Sequence, residues 1–140
     1  MTDWLVFALG SAVFAGLTAI LTKLGVEAIP ATAATLIRTV VILGCVGLLV
    51  AIRREWPHAG SLNLRNVGFL VASGLTTGLS WLCYNRALQH GPVSLVAPLD
   101  KLSLVIAIGL SVVILGERLT AWQWLGASCM TLGALLLALK

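Results

Sequence analysis

The run from Pro92 to Leu119, PVSLVAPLDKLSLVIAIGLSVVILGERL, is apolar enough to cross a bilayer, yet it carries Asp100 and Lys101 about a third of the way in. A charge at membrane depth costs at least ~2.5–3.5 kcal/mol on insertion scales, so such residues mark functional positions. Four more apolar segments surround this one. With 59% of its 140 residues hydrophobic and 10% charged, the chain departs from soluble domains, which are about 45–50% apolar and about 25% charged. A spanning helix needs about 20 apolar residues, and five of them leave connections too short for a second domain. The expected fold is therefore an all-α integral membrane unit of five transmembrane helices, in one domain covering residues 1–140.

The expected spans run over 4–24, 31–52, 67–88, 93–115 and 121–139. The first is read as a retained helix, because it lacks a basic leading region and an A-x-A cleavage site. Ala8, Ser11, Ala15, Thr18 and Thr22 form its small and hydroxylated stripe, suited to close helix contact or to lining a substrate route. Lys23 and Glu27 stand four apart at its exit and can pair. Pro30 is well placed to start the second span. Arg38 lies roughly two turns into it, about 10 Å by helical rise, where it either snorkels to the near surface or belongs to an internal polar site.

The third span places Gly74, Gly78, Trp81 and Asn85 on one face. Gly74 and Gly78 fit the small-xxx-small packing pattern. Trp81 and Tyr84 belong either to an interfacial aromatic belt or to a cavity beside Asn85. In the fourth span Asp100, Ser103, Ala107 and Ser111 make a continuous polar and small line, with Lys101 turned about 100° away from Asp100. Gly116 and Glu117 close it. The fifth span, led by Trp122 and Trp124, reads as scaffold.

The net charge of +4 is spread over segment ends without a basic face, so nucleic acid is not an expected partner. Cys45, Cys83 and Cys129 lie inside apolar spans and are odd in number, which argues against disulfides and against a metal site. No cofactor is expected. His58, beside Pro57 in the longest loop, is given no chemical role. HExxH and GxSxG are absent, and His90 precedes Gly91-Pro92 in a turn, so an intramembrane enzyme is disfavoured.

Arg53, Arg54, Arg65 and Arg118 fall on the side of the N-terminus; Lys23, Arg38, Arg86 and Lys140 fall on the other. The positive-inside rule therefore specifies orientation only weakly. Every charge set within a span (Arg38, Arg86, Asp100 and Lys101) enters from that second side, with Asn85 at the same level. Helices two, three and four are expected to converge there in one polar vestibule.

The stretch YNRALQHGPVSLVAPLDKLSLVIAIGLSVVILGERLTAWQWLGASCMTLGALLLAL resembles the EamA domain of the drug/metabolite transporter superfamily. The resemblance rests on Ala87-Leu88 after an aromatic residue, Ala97-Pro98-Leu99, Gly116-Glu117, and Gly126 with Gly133. It implies half of a ten-helix fold built from inverted repeats, multi-pass in a prokaryotic inner membrane. It also implies a dimer: an antiparallel, dual-topology homodimer, or a pairing with a related five-helix subunit. Small multidrug resistance relatives carry an acidic residue in the middle of helix one, and this chain has none there.

On this reading the chain is a secondary transporter, an exporter of a small metabolite by alternating access, in contact with membrane lipid. Its cavity is lined by Asp100, Lys101, Arg38, Trp81, Asn85, Tyr84, Ser103, Ser111 and Thr18, with Gly74, Gly78, Gly126 and Gly133 at helix contacts. Asp100 pairs with Arg38 or Lys101 and is the one buried carboxylate placed to carry a coupling proton. Surplus positive charge favours an anionic or zwitterionic metabolite. The alternative is a structural subunit that completes another half-transporter or a lipid flippase, resembling the aminoarabinose-lipid flippase subunits.

Overall fold

The computed structural model describes residues 3–57 and 63–139; His58 and Lys140 lie outside them. No strand occurs among the described residues, which form helices α1 (Asp3–Val26), α2 (Ala31–Arg53), α3 (Leu64–His90), α4 (Val93–Asp100), α5 (Leu102–Leu110) and α6 (Ala121–Ala138), with a π-helical turn at Ser111–Leu115. Counting Val93–Leu115 as one segment, five are long and apolar enough to cross a membrane. Most of their large apolar side chains are exposed, Phe7, Phe14, Leu43, Leu70 and Val113 among them. A soluble chain would bury such residues; here they suit hydrocarbon, where each helix satisfies its own backbone polar groups.

Local chemistry sets the helix ends. Pro30 and Pro92 precede α2 and α4 in extended conformation, each supplying a carbonyl to the first turn without needing a donor of its own. Leu64 rather than Val67 opens α3, because Asn63 caps it: its Oδ1 accepts from the Arg65 backbone N–H at 3.1 Å. At the end of α2, Arg54 takes the left-handed conformation (φ 54°). Its N–H donates to the Ala51 carbonyl and that of Glu55 to the Val50 carbonyl, the double closure that glycine ordinarily completes. Thr120 opens α6 with a reciprocal box, its hydroxyl accepting from the Gln123 N–H while Gln123 Oε1 accepts from the Thr120 N–H at 2.7 Å.

The fourth span is not one continuous helix. Pro98 lies inside α4 and has no N–H to give the Ser94 carbonyl. The chain tightens at Lys101, whose N–H donates to the Pro98 carbonyl while its own carbonyl accepts from the Leu104 N–H. After α5 the backbone widens into the π turn and stops at Gly116, held at φ +69°, a conformation a side chain would strain.

The described chain forms two compact units, one of residues 20–89 and one of residues 1–19 with 90–140. In the first, the buried positions cluster where α1 ends, α2 begins and α3 ends: Thr22, Val26, Ala31, Ala34, Thr35, Asn85 and Leu88. In the second, α6 packs against α4 and α5, and its buried residues are Ala127 and Ala134, seven apart.

A Cβ at Gly74, Gly78, Gly126 or Gly133 would meet nothing within 4 Å, so space is open beside these glycines. On α6 the covered stripe lies one residue on, at Ala127 and Ala134. On α1 the covered residues are Ala19, Thr22 and Val26; Thr22 belongs to the expected stripe, and Thr18 is exposed. Adjacent residues on a helix point about 100° apart, so a one-residue slip moves a stripe to a different face.

Candidate functional site

The polar residues of the 20–89 unit come together on the facing turns of α2 and α3. Thr35 and Arg38 are three apart on α2, and Trp81, Asn85 and Gln89 recur every four residues on α3, so each set shares a face. Asn85 is completely buried. Its Nδ2 donates to Thr35 Oγ1 at 2.7 Å, and its Oδ1 accepts from Arg38 Nη1 at 3.2 Å. Thr35 in turn donates to the Ala31 carbonyl at 2.8 Å. The buried polar side chains of this link, Thr35 and Asn85, therefore both have partners, as burial demands.

Arg38 is held in place rather than reaching for the surface. Its guanidinium lies over the Trp81 ring, 4.9 Å from the centroid, within cation–π range. It stands seven residues into α2, about 10 Å along the axis. Trp81 stands nine residues before the end of α3, about 13 Å in. A snorkelling arginine would run toward the mouth; this one is stacked on a deeper ring and tied by a buried amide. Arg38 therefore sits among internal polar and aromatic contacts, on Asn85 and Trp81.

Trp81 differs in placement from the other tryptophans. Trp4, Trp56, Trp122 and Trp124 stand at or beyond helix ends and are exposed, whereas Trp81 is inside its span and half-buried. Tyr84 is half-buried too.

A second set of contacts closes the end of the unit. Lys23 Nζ donates to the Leu88 carbonyl at 2.7 Å. Gln89 Nε2 donates to the Val26 carbonyl at 3.2 Å and to that of Ile29 at 2.8 Å. Each helix end thus satisfies the other's orphan carbonyls: a lysine of α1 serves α3, and a glutamine of α3 serves α1. Thr35 and Gln89 are the members that sequence reasoning passed over. Their signal was spacing, three before Arg38 and four after Asn85.

In the other unit, Asp100 and Lys101 meet directly. Lys101 Nζ lies 3.2 Å from Asp100 Oδ2, the carboxylate half-buried and the lysine exposed. The long lysine side chain reaches back across the helix break to its neighbour. Ser103 is exposed. Ser111 donates to the Ile108 carbonyl of its own helix at 2.9 Å, a bond within the span rather than across helices. Among the described residues no group of three or more His, Cys, Asp or Glu side chains is arranged to hold a metal, and Cys45, Cys83 and Cys129 are free thiols.

Residues 2–139 match the model of the EamA-like transporter family. A relative from Sinorhizobium sp., described as an uncharacterized transporter in the cobO 3′ region, is 48% identical over 136 residues, covering 97% of this chain and 96% of the relative. The 4-amino-4-deoxy-L-arabinose-phosphoundecaprenol flippase subunits ArnE of Yersinia pestis and Yersinia pseudotuberculosis are each 30% identical over 107 residues, covering 74% of this chain and 93% of theirs. No solved structure matches the chain.

Proposed function

Because this chain belongs to the EamA-like transporter family, we propose that it is half of a secondary transporter of the inner membrane, exporting a small metabolite by alternating access as a dimer. The observation that carries the reading is Arg38, held at membrane depth by a buried amide and an aromatic face. A scaffold helix has no use for such a residue, whereas a substrate route does. Trp81, Asn85 and Tyr84 share its surroundings and belong to the same route. Asp100 and Lys101 mark a break in a spanning helix, the kind of discontinuity around which transporters build their sites.

The second half of the transporter is a further copy of the chain, inverted in the membrane. Two features support this: the near-even split of positive charge between the two sides, and the open space at Gly74, Gly78, Gly126 and Gly133, where a partner helix can approach closely. A second reading is favoured by the likeness to flippase subunits, in which the chain completes a different five-helix protein.

Paired reporters fused to the C-terminus, one active only inside and one only outside, decide between them. Activity from both supports the inverted homodimer. A single location removes it and directs crosslinking toward a partner subunit.

A further inference from the structure

The bond from Asn85 falls on Arg38 Nη1, so the Nε–Nη2 edge of the guanidinium is left whole. That edge presents two parallel N–H donors, the fork that matches a pair of oxygens on a carboxylate or phosphoryl group. Among the described residues no acceptor meets it and Arg38 has no ion-pair partner. Within residues 20–89 the carboxylates are Glu27, exposed beyond the end of α1, and Glu55, which pairs with Arg53. Arg38 is half-buried at membrane depth, and a cation in a spanning segment ordinarily finds a counter-charge. Here the polar contacts fix the group's position and leave its charge unneutralised.

We infer that the Nε–Nη2 edge of Arg38 is an oxyanion site, taking a carboxylate or phosphoryl group flat against the guanidinium, with Trp81 behind it. Resting on the transporter reading, this makes the transported molecule an anion, held through two oxygens. Asn85 is the positioning residue: it fixes the fork without occupying it. The oxyanion has two sources, a soluble metabolite or the headgroup of a lipid, and the same chemistry receives either.

Trp81 is a built-in reporter. In the full-length chain, Trp4, Trp56, Trp122 and Trp124 are replaced by phenylalanine, and the protein is placed in nanodiscs of phosphatidylcholine. Acetate and glycerol 3-phosphate are titrated against chloride at matched ionic strength. A saturable change in Trp81 emission with either oxyanion, absent with chloride, is expected. Arg38→Lys keeps the charge and loses the fork, weakening the response about tenfold, and Arg38→Gln abolishes it. If Arg38→Gln does not fold, as judged by elution and far-UV circular dichroism, Arg38→Lys carries the test.

Nanodiscs of phosphatidylglycerol separate the sources. A shift present before any addition, with no further response to soluble oxyanions, identifies a lipid headgroup on the same fork. Flat titrations in both discs with no difference between them overturn the inference, as does a response as tight in Arg38→Lys as in the parent. Export from everted vesicles is measured separately. Anion transport at an unchanged rate in Arg38→Gln removes the site and leaves the transporter. Oxyanion binding without transport of any anion keeps the site and removes the transporter.

Discussion

Replacing Asn85 by leucine tests whether the α2–α3 link holds the unit together. The amide is wholly buried and makes two interhelical bonds, to Thr35 at 2.7 Å and from Arg38 at 3.2 Å. A net buried bond contributes about 0.5–1.5 kcal/mol, or about 1.5–3 when one partner is charged, but interhelical bonds in membranes average only about 0.6. The Arg38 bond is long for a charge-assisted one, so the low end applies: about 1.5 kcal/mol there and about 0.6 at Thr35. Leucine is close to asparagine in size and opens no cavity. Thr35 keeps its own acceptor in the Ala31 carbonyl, so only the arginine is left wanting. The expected loss is about 2 kcal/mol, roughly a 30-fold shift in the unfolding equilibrium. Reversible unfolding in mixed dodecylmaltoside and SDS micelles, followed by circular dichroism, reads it. A double-mutant cycle with Arg38→Gln should give a larger coupling than one with Thr35→Val. A cost under about 0.5 kcal/mol, or additivity with Arg38→Gln, refutes the account.

Two helix ends offer further tests in the same assay. Thr120→Ala removes the box that opens α6 and should cost about 1 kcal/mol, while Thr120→Ser should retain most of the stability; equal losses in both would show that the hydroxyl is not the cause. Arg54→Gly relieves a left-handed arginine and should stabilise by about 0.5–1 kcal/mol. A lower midpoint would mean that the side chain contributes more than its backbone strain costs.

How much was legible in the sequence depends on the kind of signal. The five spans were readable because apolar length is a property of the chain alone, and the membrane leaves only helices or closed barrels as solutions. The start of α3 was placed late, at Val67, because Arg65 and Asn66 looked like loop; the cap at Asn63 takes both into the first turn. Arg38 and Asn85 were legible as polar residues at a common depth, but their bond, and the role of Trp81 beneath them, needed the azimuths of two helices. The covered faces of α1 and α6 were out of reach for the same reason. Residue type marks a stripe as suitable for contact, and only the neighbouring helix decides which stripe is covered. The break in the fourth span was signalled by Pro98, but periodicity presumes an unbroken helix and passed over it.

Asp100 and Arg38 pose opposite physical problems, and a single substitution separates their roles. Asp100 is half-buried and neutralised by its neighbour, an exposed lysine on a turn. Such a pair contributes about 0.2–1 kcal/mol and is screened by salt, so it is poor cement. Asp100→Asn keeps the shape and frees Lys101, and should leave the unfolding midpoint within about 1 kcal/mol of the parent. If the carboxylate carries the coupling proton, the same variant should abolish the dependence of export on external pH while the protein remains folded. A pure helix lock predicts the reverse, a measurable loss of stability with the pH profile of transport intact. Unchanged transport with an unchanged pH profile removes Asp100 from the cycle, and the proposed route then depends on Arg38, stacked on Trp81 and tied to Asn85.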